Sequence, residues 1–185
     1  MAKRGRPTAT ERTQRMDRIL DAAVALFAAG GFEATSLDEV AARAEVTKRT
    51  LYGDVGDKAA LFSAAVDREQ NRIRTRASEA ASLAEVAAEL VFVLLSDSAV
   101  ALHRSVIAVA PRFTELAAGF YETGPQHSIG LLASAMPAAD PSRATALYSL
   151  LLGEPHRRRL LGLDPAPTRA TADAHAARAL ALLGL

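Results

Sequence analysis

The chain has 185 residues, half of them apolar and 23% charged, with a net charge of +1 and no cysteine. That length suits one domain or two small ones with a real core, and the missing cysteines exclude disulfide staples and thiolate chemistry. The N-terminus is basic and polar, and no uninterrupted apolar run of about 18 residues occurs, so a soluble, cytoplasmic protein without a membrane span is expected.

Alanine is abundant, β-branched runs are rare, and proline is absent between Thr8 and Ala110. These features point to an all-α protein. The charge is unevenly spread: residues 1–80 hold fourteen Lys/Arg against twelve Asp/Glu, and residues 81–185 hold eight against nine. A basic arm on a near-neutral body fits a local anionic contact as well as it fits a tail kept basic for solubility.

In chain order, a first helix is predicted from about Arg12 to Ala29. Met16, Ile19, Leu20, Ala23 and Phe27 form its apolar stripe, and Gly30-Gly31 stops it. Ser36 with Glu39 three residues later is a capping-box pattern that opens a second helix. A third runs from Thr47 to Gly53, and Asp57 caps a fourth from Lys58 to about Ser78. Ser82 to Glu85 repeats the capping pattern. Helices are then expected over Ser98–Ala110, Phe113–Thr123 and Gln126–Met136, with a break at Gly124-Pro125. The last two, Ser142–Gly153 and Thr168–Leu183, are separated by His156-Arg157-Arg158-Arg159 and the Pro165/Pro167 linker. That makes about nine to ten helices, divided into residues 1–57 and 58–185.

The second and third helices read as a helix–turn–helix. A helix N-terminus offers unpaired N–H groups, and Thr47 and Thr50 add hydroxyls. Lys48 and Arg49 can reach base edges, Tyr52 a phosphate, and Lys58 a further phosphate, while Leu51 pins the helix to its neighbours. A plain helical hairpin with solvated charges is the alternative. Arg4 and Arg6 around Gly5 resemble a minor-groove arm, and a tail that never touches DNA is the alternative there.

From Arg12 to Phe62 the order of features resembles the DNA-binding domain of the TetR family of transcriptional regulators. The matching pieces are Ile19-Leu20-Asp21-Ala22-Ala23, Leu26-Phe27, Gly30-Gly31-Phe32, Thr35-Ser36-Leu37, Val40-Ala41 with Ala44, Val46 through Tyr52, Asp57-Lys58 and Leu61-Phe62. The resemblance implies a homodimer on a palindromic double-stranded DNA operator. Phosphate contacts would fall on Ser36, Thr50, Tyr52 and Lys58, and base contacts on Thr47, Lys48 and Arg49. Glu45 stands where the family commonly has a turn glycine, and Asp54 brings a carboxylate near the expected phosphates.

In the second half, Leu102-His103-Arg104, Ile107-Ala108, Pro111-Arg112-Phe113, Glu115-Leu116-Ala117 and Phe120-Tyr121 with Gly124-Pro125 look like the ligand-binding domain of an AefR-like branch of that family. This implies an internal pocket for a small apolar or amphipathic effector. Phe92, His103, Ile107, Phe113, Phe120, Tyr121 and Tyr148 are candidates for its walls, and ordinary core is the alternative for each. The last two helices would pair with their symmetry mates through Leu147, Leu150 and Leu151 on one and Ala172, Ala176, Ala179, Leu180 and Leu183 on the other; from the residues alone these stripes are intrachain core.

No catalytic or metal site is expected. The four histidines, His103, His127, His156 and His175, lack metal-ligand spacing on one helix, and no nucleophile elbow, P-loop or dinucleotide fingerprint occurs. A ligand-responsive repressor without a cofactor is the function expected. An effector-independent DNA-binding regulator and a helical small-molecule carrier or enzyme are the rivals.

Overall fold

The computed structural model describes residues 8–80 and 82–185, in which ten α-helices and one π-helical turn account for the regular structure. The helices are α1 (Ala9–Ala34), α2 (Leu37–Arg43), α3 (Lys48–Asp54), α4 (Lys58–Ser78), α5 (Leu83–Leu94), α6 (Asp97–Val109), α7 (Thr114–Tyr121), α8 (His127–Ala135), α9 (Pro141–Leu160) and α10 (Arg169–Leu182). The described residues contain no strand. They form two compact units that part between Val66 and Asp67, inside α4. The expected division lay at the start of that helix.

In the first unit the caps decide where helices begin. Thr8 with Glu11 and Ser36 with Glu39 make reciprocal capping boxes at α1 and α2, each satisfying two otherwise unpaired N–H groups. Gly31 breaks α1 with φ 74°, a conformation open to glycine at little cost. That turn brings Phe32 back onto Phe27, and both pack on Phe62 of α4, with ring centroids 4.8 and 5.2 Å from Phe62. Ile19, Val40, Leu51 and Leu61 complete a fully buried core.

The second unit is built around α5, whose Val86, Leu90 and Val91 pack with Leu132 of α8, Ala144, Leu147 and Leu151 of α9, and Ala172, Ala176, Ala179 and Leu180 of α10. This corrects the assignment of the α9 and α10 stripes to a symmetry mate. Leu147, Leu151, Ala172, Ala176, Ala179 and Leu180 are buried within the chain's own core, because α10 lies along α5. Of the expected stripe on α9, Leu150 does face outward, together with Ala146; on α10 the outward residues are Ala170, Ala174, Ala177, Ala181 and Leu182.

Two expected helix boundaries, at Gly124-Pro125 and at Gly153, are passed without a break. The chain passes Gly124-Pro125 in a π-helical turn, Glu122–Gln126, that leads straight into α8; the wider turn accommodates a residue without an N–H. At the other, α9 runs on through Pro155 to Leu160. Pro155 has no N–H for the Leu151 carbonyl, and His175 of α10 supplies the donor instead, Nε2 to oxygen 2.9 Å. The basic run is therefore helical. Arg159 is buried and donates to the carbonyls of Leu95 and Asp164 at 2.9 and 2.6 Å and to Asp97 at 2.5 Å. Arg104 of α6 caps the end of α9 by donating to the Arg159 and Leu160 carbonyls.

No single helix among the described residues is long and apolar enough to cross a membrane.

Candidate nucleic-acid interface and internal pocket

Leu51 is fully buried and anchors α3 on α2, so the start of α3 is held outward. Thr47, Lys48 and Arg49 are exposed there, Thr50 is half-buried, and Tyr52 is 48% exposed. Thr47 is the N-cap: its Oγ1 accepts from the Thr50 N–H at 3.1 Å and pairs with the Thr50 hydroxyl at 2.8 Å. Both threonines are thus partly committed to the turn itself. Ser36 is exposed at the cap of α2, where its hydroxyl meets Glu39 at 2.9 Å. Hydrogen bonds from Ser36 hold the Glu39 carboxyl below its usual range.

The cations have local partners as well. Lys48 Nζ lies 2.9 Å from Asp38, whose carboxylate raises the lysine's pKa. The pair is solvent-exposed and contributes little to stability, so the ammonium can exchange Asp38 for another anion. Lys58 donates to the Glu33 carbonyl at 3.0 Å and stands 4.6 Å over the Phe32 ring, a role in closing the end of α1 that its expected phosphate contact did not foresee.

Glu45 has φ 56°, the left-handed conformation that the turn requires even without glycine. Asp54 pairs with Arg15 of α1, Nε to Oδ2 2.7 Å and Nη2 to Oδ1 3.2 Å, so its charge is countered within the unit. Arg4 and Arg6, the proposed minor-groove arm, lie outside the described residues.

The second unit contains a pocket whose lining includes His103, Phe120 and Tyr148 from the seven candidates. Its empty volume is about 670 Å³, the open solvent at its mouth included. Four candidates lie elsewhere. Ile107 and Tyr121 are about half exposed; Phe92 packs under Arg169, 4.2 Å from its centroid; and Phe113 stands at the N-cap of α7 beside Arg112. An apolar residue type identified them, but helix phase turned them out of the pocket.

Sequence reasoning missed the pocket's polar content. Glu69, Gln70, His127, Ser128 and His156 also line it. Although 53 positions apart, His103 and His156 stack, with Nδ1 of the first 3.2 Å from Nε2 of the second. Burial first, and His156 second, lower the His103 pKa to about 4; burial also lowers His156. Two neutral imidazoles sharing one hydrogen bond leave one free N–H and one free lone pair between them, whichever tautomer pair is present. The Tyr148 hydroxyl is pushed up by burial.

Gln70 braces the π turn. Its Nε2 donates to the Phe120 carbonyl at 2.9 Å, and its Oε1 accepts from Thr123. A Cβ at Gly124 would stand 2.6 Å from Gln70 Nε2, so glycine is what admits this contact.

A cap-defined helix–turn–helix with exposed donors and cations, joined to an all-helical body holding a pocket, defines a DNA-binding regulator type of architecture. Residues 19–65 match the family of bacterial regulatory proteins called tetR, and residues 81–183 match the C-terminal domain of AefR-like transcriptional repressors. The chain belongs to the TetR family, a family of transcriptional regulators and not of enzymes.

Two relatives bear the name HTH-type transcriptional repressor KstR. That of Mycolicibacterium smegmatis is 41% identical over 68 residues, 37% of this chain and 33% of its own. That of Rhodococcus jostii is 44% identical over 63 residues, 34% of this chain and 30% of its own. The matched stretch thus spans about a third of those repressors' length. Among solved structures, a protein assigned to the TetR-family regulators of Mesorhizobium loti superposes with a TM-score of 0.80 at 27% identity, covering 95% of this chain and 98% of that one. The flavonoid-responsive regulator FrrA gives 0.69 at 29% identity, covering 92% and 95%.

Proposed function

We propose that this chain is a ligand-responsive, DNA-binding repressor that acts in the cytoplasm as a homodimer on a palindromic operator. The observation that carries this reading is the start of α3, where Thr47, Lys48 and Arg49 stand exposed above a fully buried Leu51. Arg49 and Lys48 suit guanine O6/N7 in a major groove; Ser36, Thr50, Tyr52 and Lys58 suit the flanking phosphates.

In the dimer, two such helices meet one face of the duplex about 34–36 Å apart. The outward faces of α9 and α10, Ala146 and Leu150 with Ala170, Ala174, Ala177 and Ala181, are the surfaces assigned to the partner copy; small side chains let helices approach closely. An effector in the pocket weakens operator binding by preferring the conformation that DNA does not, a coupling typically of about 1–3 kcal/mol. The response named for FrrA supports a small-molecule effector.

Selection of bound sites from random duplexes, followed by competition with a metabolite panel, tests this reading. A palindromic consensus released by at least one compound is expected. No enriched sequence would end the DNA-binding reading; a consensus that no compound releases would leave a regulator without an effector.

A further inference from the structure

Asp38, in the first turn of α2, has no part in that helix's cap, which Ser36 and Glu39 make between them. Its carboxylate reaches across the turn to α3 instead. Lys48 Nζ lies 2.9 Å from Oδ1 and 3.0 Å from Oδ2, with the aspartate side chain 67% and the lysine 54% exposed. A pair so open to solvent adds little to stability. It nevertheless sets a negative charge beside the Lys48 ammonium, on the face assigned to the duplex, where the phosphates repel it. Asp54, the carboxylate of α3 itself, escapes this conflict because both its oxygens are held by Arg15 and its side chain is 25% exposed. Asp38 stands in the open, and its charge costs affinity unless the groove floor offers it a donor.

The major groove offers such donors in two places, cytosine N4 and adenine N6. Their neighbours differ. In a G·C pair the acceptors, guanine N7 and O6, lie to one side and the cytosine amino group to the other. In an A·T pair the adenine amino group lies between two acceptors, adenine N7 and thymine O4. An ammonium and a carboxylate held side by side match the first order; in the second the carboxylate stands between two acceptors. The bridge need not open for this, because an ammonium has three donors and a carboxylate about four lone-pair sites. We propose that Asp38 reads a base: the Lys48–Asp38 pair enters the groove as a unit and selects a G·C pair in each half-site, Lys48 donating to guanine and Asp38 accepting from cytosine N4. This rests on the duplex reading above, and adds to it a residue of α2 and the base pair it selects.

Selection of bound sites from random duplexes, run side by side on the full chain and on its Asp38→Ala and Asp38→Asn variants, tests this. The unaltered chain should enrich a G·C pair at a half-site position that Asp38→Ala leaves open. Asp38→Asn, whose amide suits adenine N6 and N7, should move that position toward A·T. Replacing the cytosine there in one half-site by 2-pyrimidinone, which lacks the amino group, should weaken the unaltered chain about 10–100-fold by fluorescence anisotropy, the scale of a hydrogen bond to a charged group. Asp38→Ala should be indifferent to the same change. One consensus shared by all three proteins overturns the assignment, as does an equal loss on the analogue with and without Asp38. No loss on the unaltered chain overturns it too, and leaves the carboxylate only to orient Lys48. Should Asp38→Ala not fold, the Asp38→Asn consensus and the analogue on the unaltered chain decide the matter. No enriched sequence from the unaltered chain ends the duplex reading and this one with it; a consensus that Asp38 does not shape ends this one alone.

Discussion

Acid should weaken this fold well before its carboxylates are protonated, and His103 is the main reason. In the folded chain its pKa is lowered from 6.5 to about 4, chiefly by burial. The unfolded chain therefore binds a proton that the native chain refuses, and stability falls as pH drops through the unfolded value of 6.5 toward the folded value of about 4. One pKa unit corresponds to about 1.4 kcal/mol, so the full effect is about 3 kcal/mol, of which about 2.5 kcal/mol is lost between pH 7.5 and 4.5. His156 and His127 are lowered as well, in both cases first by burial, and they add to the loss in the same direction.

The lowered carboxylates, Glu11, Glu39 and Asp164, act at lower pH. Their stabilising bonds hold above the ordinary carboxylate range and are lost as pH falls from it through their folded values, while Asp67, raised by burial, acts in the opposite sense, so the imidazoles dominate the loss down to pH 4.5. Urea unfolding followed by far-ultraviolet circular dichroism at pH 7.5 and 4.5 measures the difference. His103→Phe keeps an aromatic ring against Phe120, whose centroid is 4.9 Å away, and should remove most of the His103 share. A variant that loses as much stability in acid as the unaltered chain would refute the reasoning.

Glu45→Gly should stabilise the first unit by about 1 kcal/mol, since φ 56° strains any side chain there; a lower thermal midpoint would show that the turn is not held left-handed. Gly124→Ala places a carbon 2.6 Å from Gln70 Nε2 and should cost about 1–3 kcal/mol by urea unfolding, while an unchanged midpoint would mean that Gln70 does not brace the π turn. His175→Phe leaves the Leu151 carbonyl without its donor and should cost about 1–3 kcal/mol. In a Pro155→Ala background, where a backbone N–H is restored, that loss should shrink; equal losses in both backgrounds would contradict the link between the two residues.

The helix–turn–helix was legible because its signals are local. Ser36 with Glu39, Thr47 at a helix start, and Asp57 before α4, whose carboxylate accepts from Ala60 at 2.8 Å, each announce a cap within four residues of sequence. The Gly31 turn was equally readable, though α1 reaches three residues beyond it. Partners distant in sequence were not readable. Arg15 reaches Asp54, His175 reaches the carbonyl freed by Pro155, and Arg159 reaches back to the corner between α5 and α6. The helix expected to end at Gly153 runs on to Leu160, with the His175 side chain serving the carbonyl that Pro155 leaves without a donor. Of the pocket, His103, Phe120 and Tyr148 were among the residues expected from the sequence, whereas Glu69 and the His156 that stacks on His103 come to the lining only through what α4, α6 and α9 bring together.

Repression by this chain requires duplex binding by the exposed start of α3. Fluorescence anisotropy on the selected palindrome, from 50 to 200 mM salt, measures it most directly. If a dimer neutralises roughly 6–10 phosphates, affinity should fall about 10³–10⁵-fold over that range. Lys48→Ala should flatten the preference for the palindrome over a scrambled duplex, and Lys58→Ala should weaken both alike. An affinity that ignores salt, or a Lys48→Ala protein that discriminates as well as the unaltered chain, would contradict it.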